Sequence, residues 1–201
     1  MALLLLSGVP AFLLSACDRQ SKPPEQANAA AQISADEVSP DEVKSEGDGK
    51  KDGFNFSVDR TKAGTAAPDF AFAAPGGGEV RLKDFAGKPV LVNLWATWCA
   101  PCVAEMPTLD GIAGDYSKQG LQVLTISQDT QVGSVTPFFQ RRAFKHIKAW
   151  RDPENRFGFF YATGVLPTSV LYDAKGKEVA RVVGAMDWRG QEAKALLAQA
   201  F

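Results

Sequence analysis

Val90-Leu91-Val92-Asn93-Leu94-Trp95-Ala96-Thr97-Trp98-Cys99-Ala100-Pro101-Cys102 is the stretch whose reading decides the fold. Its first half is an apolar run of the length of a buried strand, preceded by Gly87 and followed by a cysteine loop. Its second half ends in Pro101, suited to a first helical turn because its missing N–H would have no partner there. Two cysteines two residues apart therefore fall at a strand-to-helix junction. Cys99 comes at the helix N-terminus, where unpaired N–H groups and the helix dipole favour a thiolate.

A C-x-x-C pair alone also fits half of a zinc site or a structural disulfide. A zinc site needs about four ligands, and beyond this pair the chain offers only Cys17 and His146. A structural disulfide has no need of the strand–turn–helix setting. The residues thus favour a redox-active dithiol, with no metal and no cofactor. In thiol–disulfide exchange the attacking thiolate is exposed and has a lowered pKa, which fits Cys99. Cys102, one turn further in, is expected to be the more buried, resolving thiol.

Trp95, Trp98-Cys99-Ala100-Pro101-Cys102 and Pro107 resemble the thioredoxin active site. Ala67-Pro68-Asp69-Phe70, Leu82 to Lys88, Asn93, Glu105-Met106-Pro107, Gly164 to Thr168 and Gly184 to Trp188 resemble the TlpA/ResA group. These are bacterial, membrane-anchored thioredoxin-like proteins of the AhpC/TSA-Redoxin superfamily. The likeness runs from about Gly64 to the C-terminus.

It implies an α/β thioredoxin fold, a mixed central sheet flanked by helices, and a thiol:disulfide oxidoreductase. Leu166-Pro167 would hold a cis peptide beside Cys99, and the Leu166-Pro167 backbone, Ala100, Pro101 and an exposed Trp98 would form the substrate surface. Trp95 is expected to pack beneath the loop. In thioredoxin a buried Asp lies six residues before the first cysteine; here Asn93 stands there and cannot take a proton. Glu105, one turn after Cys102, is similar to a Glu of the ResA-like proteins that tunes the cysteine pKa values; a solvated helix Glu is the alternative reading. Ala100-Pro101 lacks the polar or cationic side chain that stabilises the thiolate of strong oxidants, so a reductant is expected. The resemblance implies protein substrates bearing disulfides, such as apocytochrome c or oxidase copper-site proteins, and recharging by a membrane thiol donor of the DsbD/CcdA kind.

Two rivals use related motifs. Ala67-Pro68-Asp69-Phe70 also resembles the opening of peroxiredoxins, but these carry Thr three residues before the peroxidatic cysteine, where this chain has Ala96. Sco-type copper carriers space their cysteines C-x-x-x-C with a distal His; here the spacing is shorter and no His follows His146. Soft thiolates at Cys99 and Cys102 leave room for weak Cu(I) binding.

The flanks fit an exported protein. Ala2 to Ala16 is almost wholly apolar, short for a membrane span and suited to a signal-peptide core; an uncleaved N-terminal anchor is the alternative. Leu14-Ser15-Ala16-Cys17 resembles the bacterial lipobox, which would make Cys17 a lipid attachment point. Asp18 resembles an inner-membrane retention signal of Gram-negative bacteria, so a periplasmic, membrane-tethered monomer is expected. Residues 17–62 lack large apolar groups over most of their length and read as a disordered tether spanning roughly 35 Å. The catalytic domain is then 63–201. With a formal charge of −1 over 201 residues and no basic stripe, nucleic acid is not an expected partner.

Within that domain, Ala67–Ala73 and Glu79–Leu82 read as an N-terminal β-hairpin extension turning at Pro75 to Gly78. Helices are expected over 101–119 with a kink at Pro107, 135–144, 152–162 and 191–200. Leu121–Ser127, Thr168–Tyr172 and Glu178–Val183 read as strands, the last two joined by the turn Asp173-Ala174-Lys175-Gly176. Trp150, Trp188 and the Phe157–Phe160 cluster read as core or lid, and His146 as a surface residue.

Overall fold

Every residue from Val90 to Trp95 is buried, so this strand (β5) is covered on both faces. In the computed structural model, which describes residues 48–51, 53–131 and 133–201, alternation along β5 sorts the interior into two layers. Leu91, Asn93 and Trp95 alternate with Val90, Val92 and Leu94. The first set packs with Met106, Leu109 and Ile112 of helix α1 (Ala100–Asp115), with Trp188, and with Leu196 and Leu197 of α4 (Gln191–Leu197). The second packs with Phe72, Phe157 and Tyr161. Asn93 is thereby the polar member of the α1-facing row.

The described residues form a nine-stranded sheet in the order β1-β2-β9-β8-β5-β6-β7-β3-β4. The strands are β1 (Asp48–Lys51), β2 (Phe54–Asp59), β3 (Phe72–Ala73), β4 (Glu79–Val80), β5, β6 (Gln122–Ser127), β7 (Trp150–Arg151), β8 (Thr168–Tyr172) and β9 (Glu178–Gly184). β6 runs parallel to β5 and β7, and the remaining pairs are antiparallel. Parallel strands need crossovers, and α1 supplies the one from β5 to β6. The sheet is mixed and flanked by helices, which is the thioredoxin fold.

Several boundaries differ from the sequence reading. β2 lies inside the stretch read as a tether, yet it pairs with β9 from Phe56↔Gly184 to Asp59↔Arg181 and sinks Phe56 into the α1-side core. Phe54-Asn55-Phe56-Ser57-Val58-Asp59 alternates apolar and polar residues, a strand signal diluted by the polar residues ahead of it. Only two residues on each side of the Pro75–Gly78 turn pair as strands, because Phe72↔Val80 and Ala73↔Glu79 complete the ladder. α1 runs through Pro107 and ends at Asp115; a 3₁₀ turn at Ser117–Gln119 follows, and Gly120 takes a left-handed φ of 88°. Helix α2 (Val135–Arg142) stops two residues early because Ala143 is left-handed. Helix α3 is confined to Arg156–Tyr161 by left-handed Asn155 and Ala162. The expected signal peptide, Cys17 and the tether up to residue 47 lie outside the described residues. Among the described residues no helix is long and apolar enough to cross a membrane.

Two polar clamps hold the frame. Asp110 of α1 accepts the backbone N–H groups of Lys145, His146 and Ile147, fixing the chain after α2. On the other face of the sheet Arg181 and Glu178 form a buried two-point ion pair, and the Arg181 guanidinium also donates to the Tyr161 carbonyl at 2.8 Å, tying the C-terminus of α3 to β9.

Candidate active site

Cys99 is the N-cap of α1, and Cys102 lies within the first turn; the two are joined as a disulfide. The Cys99 Sγ accepts a hydrogen bond from the Cys102 backbone N–H at 3.3 Å, the contact that would stabilise a thiolate at that position. Cys102 is wholly buried, whereas Cys99 keeps 6% of its surface beside Trp98, which is 72% exposed. Ala100 and Pro101 are also exposed. Cys99, expected to be exposed, is thus itself buried in the disulfide form, and the pair differs by place: Cys99 opens the helix and Cys102 lies within its first turn.

The loop leading to Cys99 is braced from β6. Asp129 accepts from the Thr97 backbone N–H at 2.9 Å, the Thr97 hydroxyl at 2.7 Å and the Ser127 hydroxyl at 2.7 Å. No motif marked Asp129; a buried acid just past the end of a central strand was the available signal.

Thr168 pairs with Leu94, so Pro167 comes to the C-terminal end of β5, where the disulfide lies. The Leu166–Pro167 peptide is cis and Pro167 is buried. A groove of about 440 Å³ opens there, walled by Trp98, Phe159, Val165 and Leu166 and lined also by Gln128. Phe159 is 76% exposed, so the Phe157–Phe160 segment is divided: Phe157 is core and Phe159 faces the groove. A second hollow, about 300 Å³, lies at the opposite end of β5 around Leu82, Phe85 and Tyr172, away from the disulfide.

Glu105 is fully buried, which excludes the solvated-helix reading. Its Oε1 accepts from Asn93 Nδ2 at 2.6 Å; its Oε2 accepts from the Met186 backbone N–H at 3.0 Å and from the Trp188 indole N–H at 3.4 Å. Burial pushes the carboxyl from 4.5 up to about 8, outweighing the three donors that favour its charged form. Asn93 Nδ2 also donates to the Ser169 hydroxyl at 2.9 Å, across the Asn93↔Ser169 register pair of β5 and β8. Asn93 is thus a direct partner of Glu105 rather than only a filler of a buried polar spot. Trp188, read as core or lid, is buried and reaches the same carboxylate. The contacts to Met186 and Trp188 span more than eighty residues, and no local pattern announces them.

A buried carboxyl of raised pKa one turn from the inner cysteine, with the outer cysteine at a helix start, is equipped for two-electron thiol–disulfide exchange. Residues 63–197 match the AhpC/TSA family, and the chain belongs to that family. It is 33% identical over 132 residues to the thiol-disulfide oxidoreductase ResA of Bacillus anthracis, covering 66% of this chain and 76% of that protein. A Chlorobium tepidum structure described as a thiol:disulfide interchange protein DsbE superposes with a TM-score of 0.62 at 28% identity, covering 69% of this chain and 96% of that one. The exposed lipoprotein thioredoxin of Streptococcus pneumoniae gives 0.56 at 27% identity, covering 64% and 98%. The protein is a thioredoxin-fold thiol:disulfide oxidoreductase.

Proposed function

We propose that this chain reduces the disulfides of exported proteins, with Cys99 as the attacking thiolate, Cys102 as the resolving thiol and Glu105 as the acceptor of the Cys102 proton. The observation that carries this reading is the place of the two cysteines on α1, with Cys99 as its N-cap and Cys102 wholly buried in the first turn, one turn before the buried Glu105. The Cys99 thiolate attacks one sulfur of the substrate disulfide, forming a mixed disulfide and expelling the other substrate sulfur as a thiolate. Cys102 then passes its proton to Glu105 and attacks the Cys99 sulfur. The second substrate thiolate leaves, and the Cys99–Cys102 disulfide forms. Two electrons have moved from the dithiol to the substrate. Trp98, Ala100, Pro101, Leu166 and Pro167, at the same end of β5 as Cys99, would seat an extended substrate segment by strand-like backbone bonds.

The setting we propose is the periplasmic face of the inner membrane of a Gram-negative bacterium, with the chain anchored as a monomer through lipid on Cys17. Leu14-Ser15-Ala16-Cys17 followed by Asp18 supports this setting, and the lipoprotein status in the name of the pneumococcal structure supports the lipid anchor alone. A membrane donor of the DsbD/CcdA kind would return two electrons to the disulfide. Cytochrome c maturation or oxidase copper-site assembly is the proposed pathway class, as the resemblance of the motifs to the TlpA/ResA group implies.

Cys102→Ser tests the assignment. The variant should accumulate mixed disulfides through Cys99 to exported cysteine proteins, released by dithiothreitol. Adducts forming instead on Cys102 in a Cys99→Ser chain would reverse the roles.

A further inference from the structure

Glu105 is surrounded by donors. Met186 contributes a backbone N–H and Trp188 an indole N–H, both to Oε2, and neither group can accept. Asn93 faces Oε1 with Nδ2, while its Oδ1 is buried and without a hydrogen-bond partner. This arrangement suits a carboxylate and clashes with a carboxylic acid, whose O–H needs an acceptor. Of the three partners, only Asn93 carries one.

We propose that Asn93 is a positioning residue that follows the Glu105 proton by turning its amide through a half-rotation. With Glu105 ionised, Nδ2 donates to Oε1. With Glu105 protonated, the proton sits on Oε1 and is donated to Oδ1. The 2.6 Å separation is short for an N–H···O bond and falls within the O–H···O range, so the protonated pair fits without movement of backbone. Ser169 can accompany it: its hydroxyl accepts from Nδ2 in one state and donates to Oδ1 in the other, keeping the bridge between β5 and β8. Oε2 has no such freedom, so the proton is directed to one oxygen.

The groups facing Glu105 from each packed element are few. They are Asn93 from β5 and Met186 and Trp188 from the segment after β9; Cys102 lies three residues before Glu105 on α1 and titrates only when reduced. Among the described residues no charged side chain acts on it.

This inference rests on the reading of Glu105 as the proton acceptor, and the test separates the two. Side-chain amide resonances of Asn93 in the ¹⁵N-labelled full chain, assigned by their loss in Asn93→Leu, are followed from pH 5 to pH 10. The protonated-carboxyl stretch of Glu105, assigned by its loss in Glu105→Gln, is followed in parallel. The expected result is an Asn93 shift with the same midpoint as the carboxyl band, absent in Glu105→Gln. A carboxyl band that titrates beside an unmoving Asn93 amide would overturn the inference and leave the proton-acceptor reading standing. A carboxyl that does not titrate in this range would overturn both.

Discussion

The Trp188 indole N–H points to the Glu105 carboxylate at 3.4 Å, although 83 residues separate them. This contact, with the Met186 N–H, ties the segment after β9 to the acid of the active-site helix. With Glu105 in its proposed role, the chemistry of Cys102 depends on the packing of the C-terminal part of the chain.

Trp188→Phe removes one of the donors to the charged form of Glu105. The Glu105 midpoint should rise above its present position near 8, and stability should fall by about 1–3 kcal/mol from the lost bond and the smaller side chain. Infrared titration and urea unfolding measure the two effects. An unmoved midpoint would show that the indole is only packing.

Glu105→Gln should change how stability depends on pH. Below about pH 4.5 the folded and unfolded chains both hold the Glu105 proton. Between 4.5 and about 8 the unfolded chain has released it while the folded chain retains it, so stability falls as pH rises; above about 8 the penalty is complete. The Gln variant lacks this slope. Its stability relative to the parent should grow across the window by an amount on the order of a few kcal/mol in the disulfide form. Denaturant unfolding at pH 5 and pH 9 measures it, and a constant difference would contradict the burial argument.

The central device was legible because its signals are local. A C-x-x-C after an apolar run, with Pro101 next in line, gives strand, loop and helix start within thirteen residues, and Pro167 opening β8 was marked by its motif. What stayed hidden depends on distance in sequence. The strand Phe54–Asp59 gains its stability from β9, and without that partner its six residues are outweighed by a polar flank. Asn93 could be placed by its offset from Cys99. Its contact with Glu105 follows only once β5 alternation and α1 packing set both on one face. Asp129 braces Thr97 through a loop geometry that spacing does not encode.

The buried Glu178–Arg181 pair gives a further test, because each charge is tolerated only through the other. Arg181→Met leaves a buried carboxylate unpaired and frees the Tyr161 carbonyl, and should cost about 3–5 kcal/mol. The double variant Glu178→Leu with Arg181→Met should recover most of that loss. Denaturant unfolding of the two variants checks this, and a double variant as unstable as the single one would contradict it.

The direction of electron flow is the central claim, and the equilibrium reduction potential of the Cys99–Cys102 couple tests it most directly. The full chain is equilibrated against defined dithiol/disulfide buffers and its free thiols counted. A value near that of thioredoxin, about −270 mV, or moderately above it, is the predicted result for a reductase supplied by a membrane donor. A value near about −120 mV would mean that the chain donates disulfides, and would contradict the proposed function.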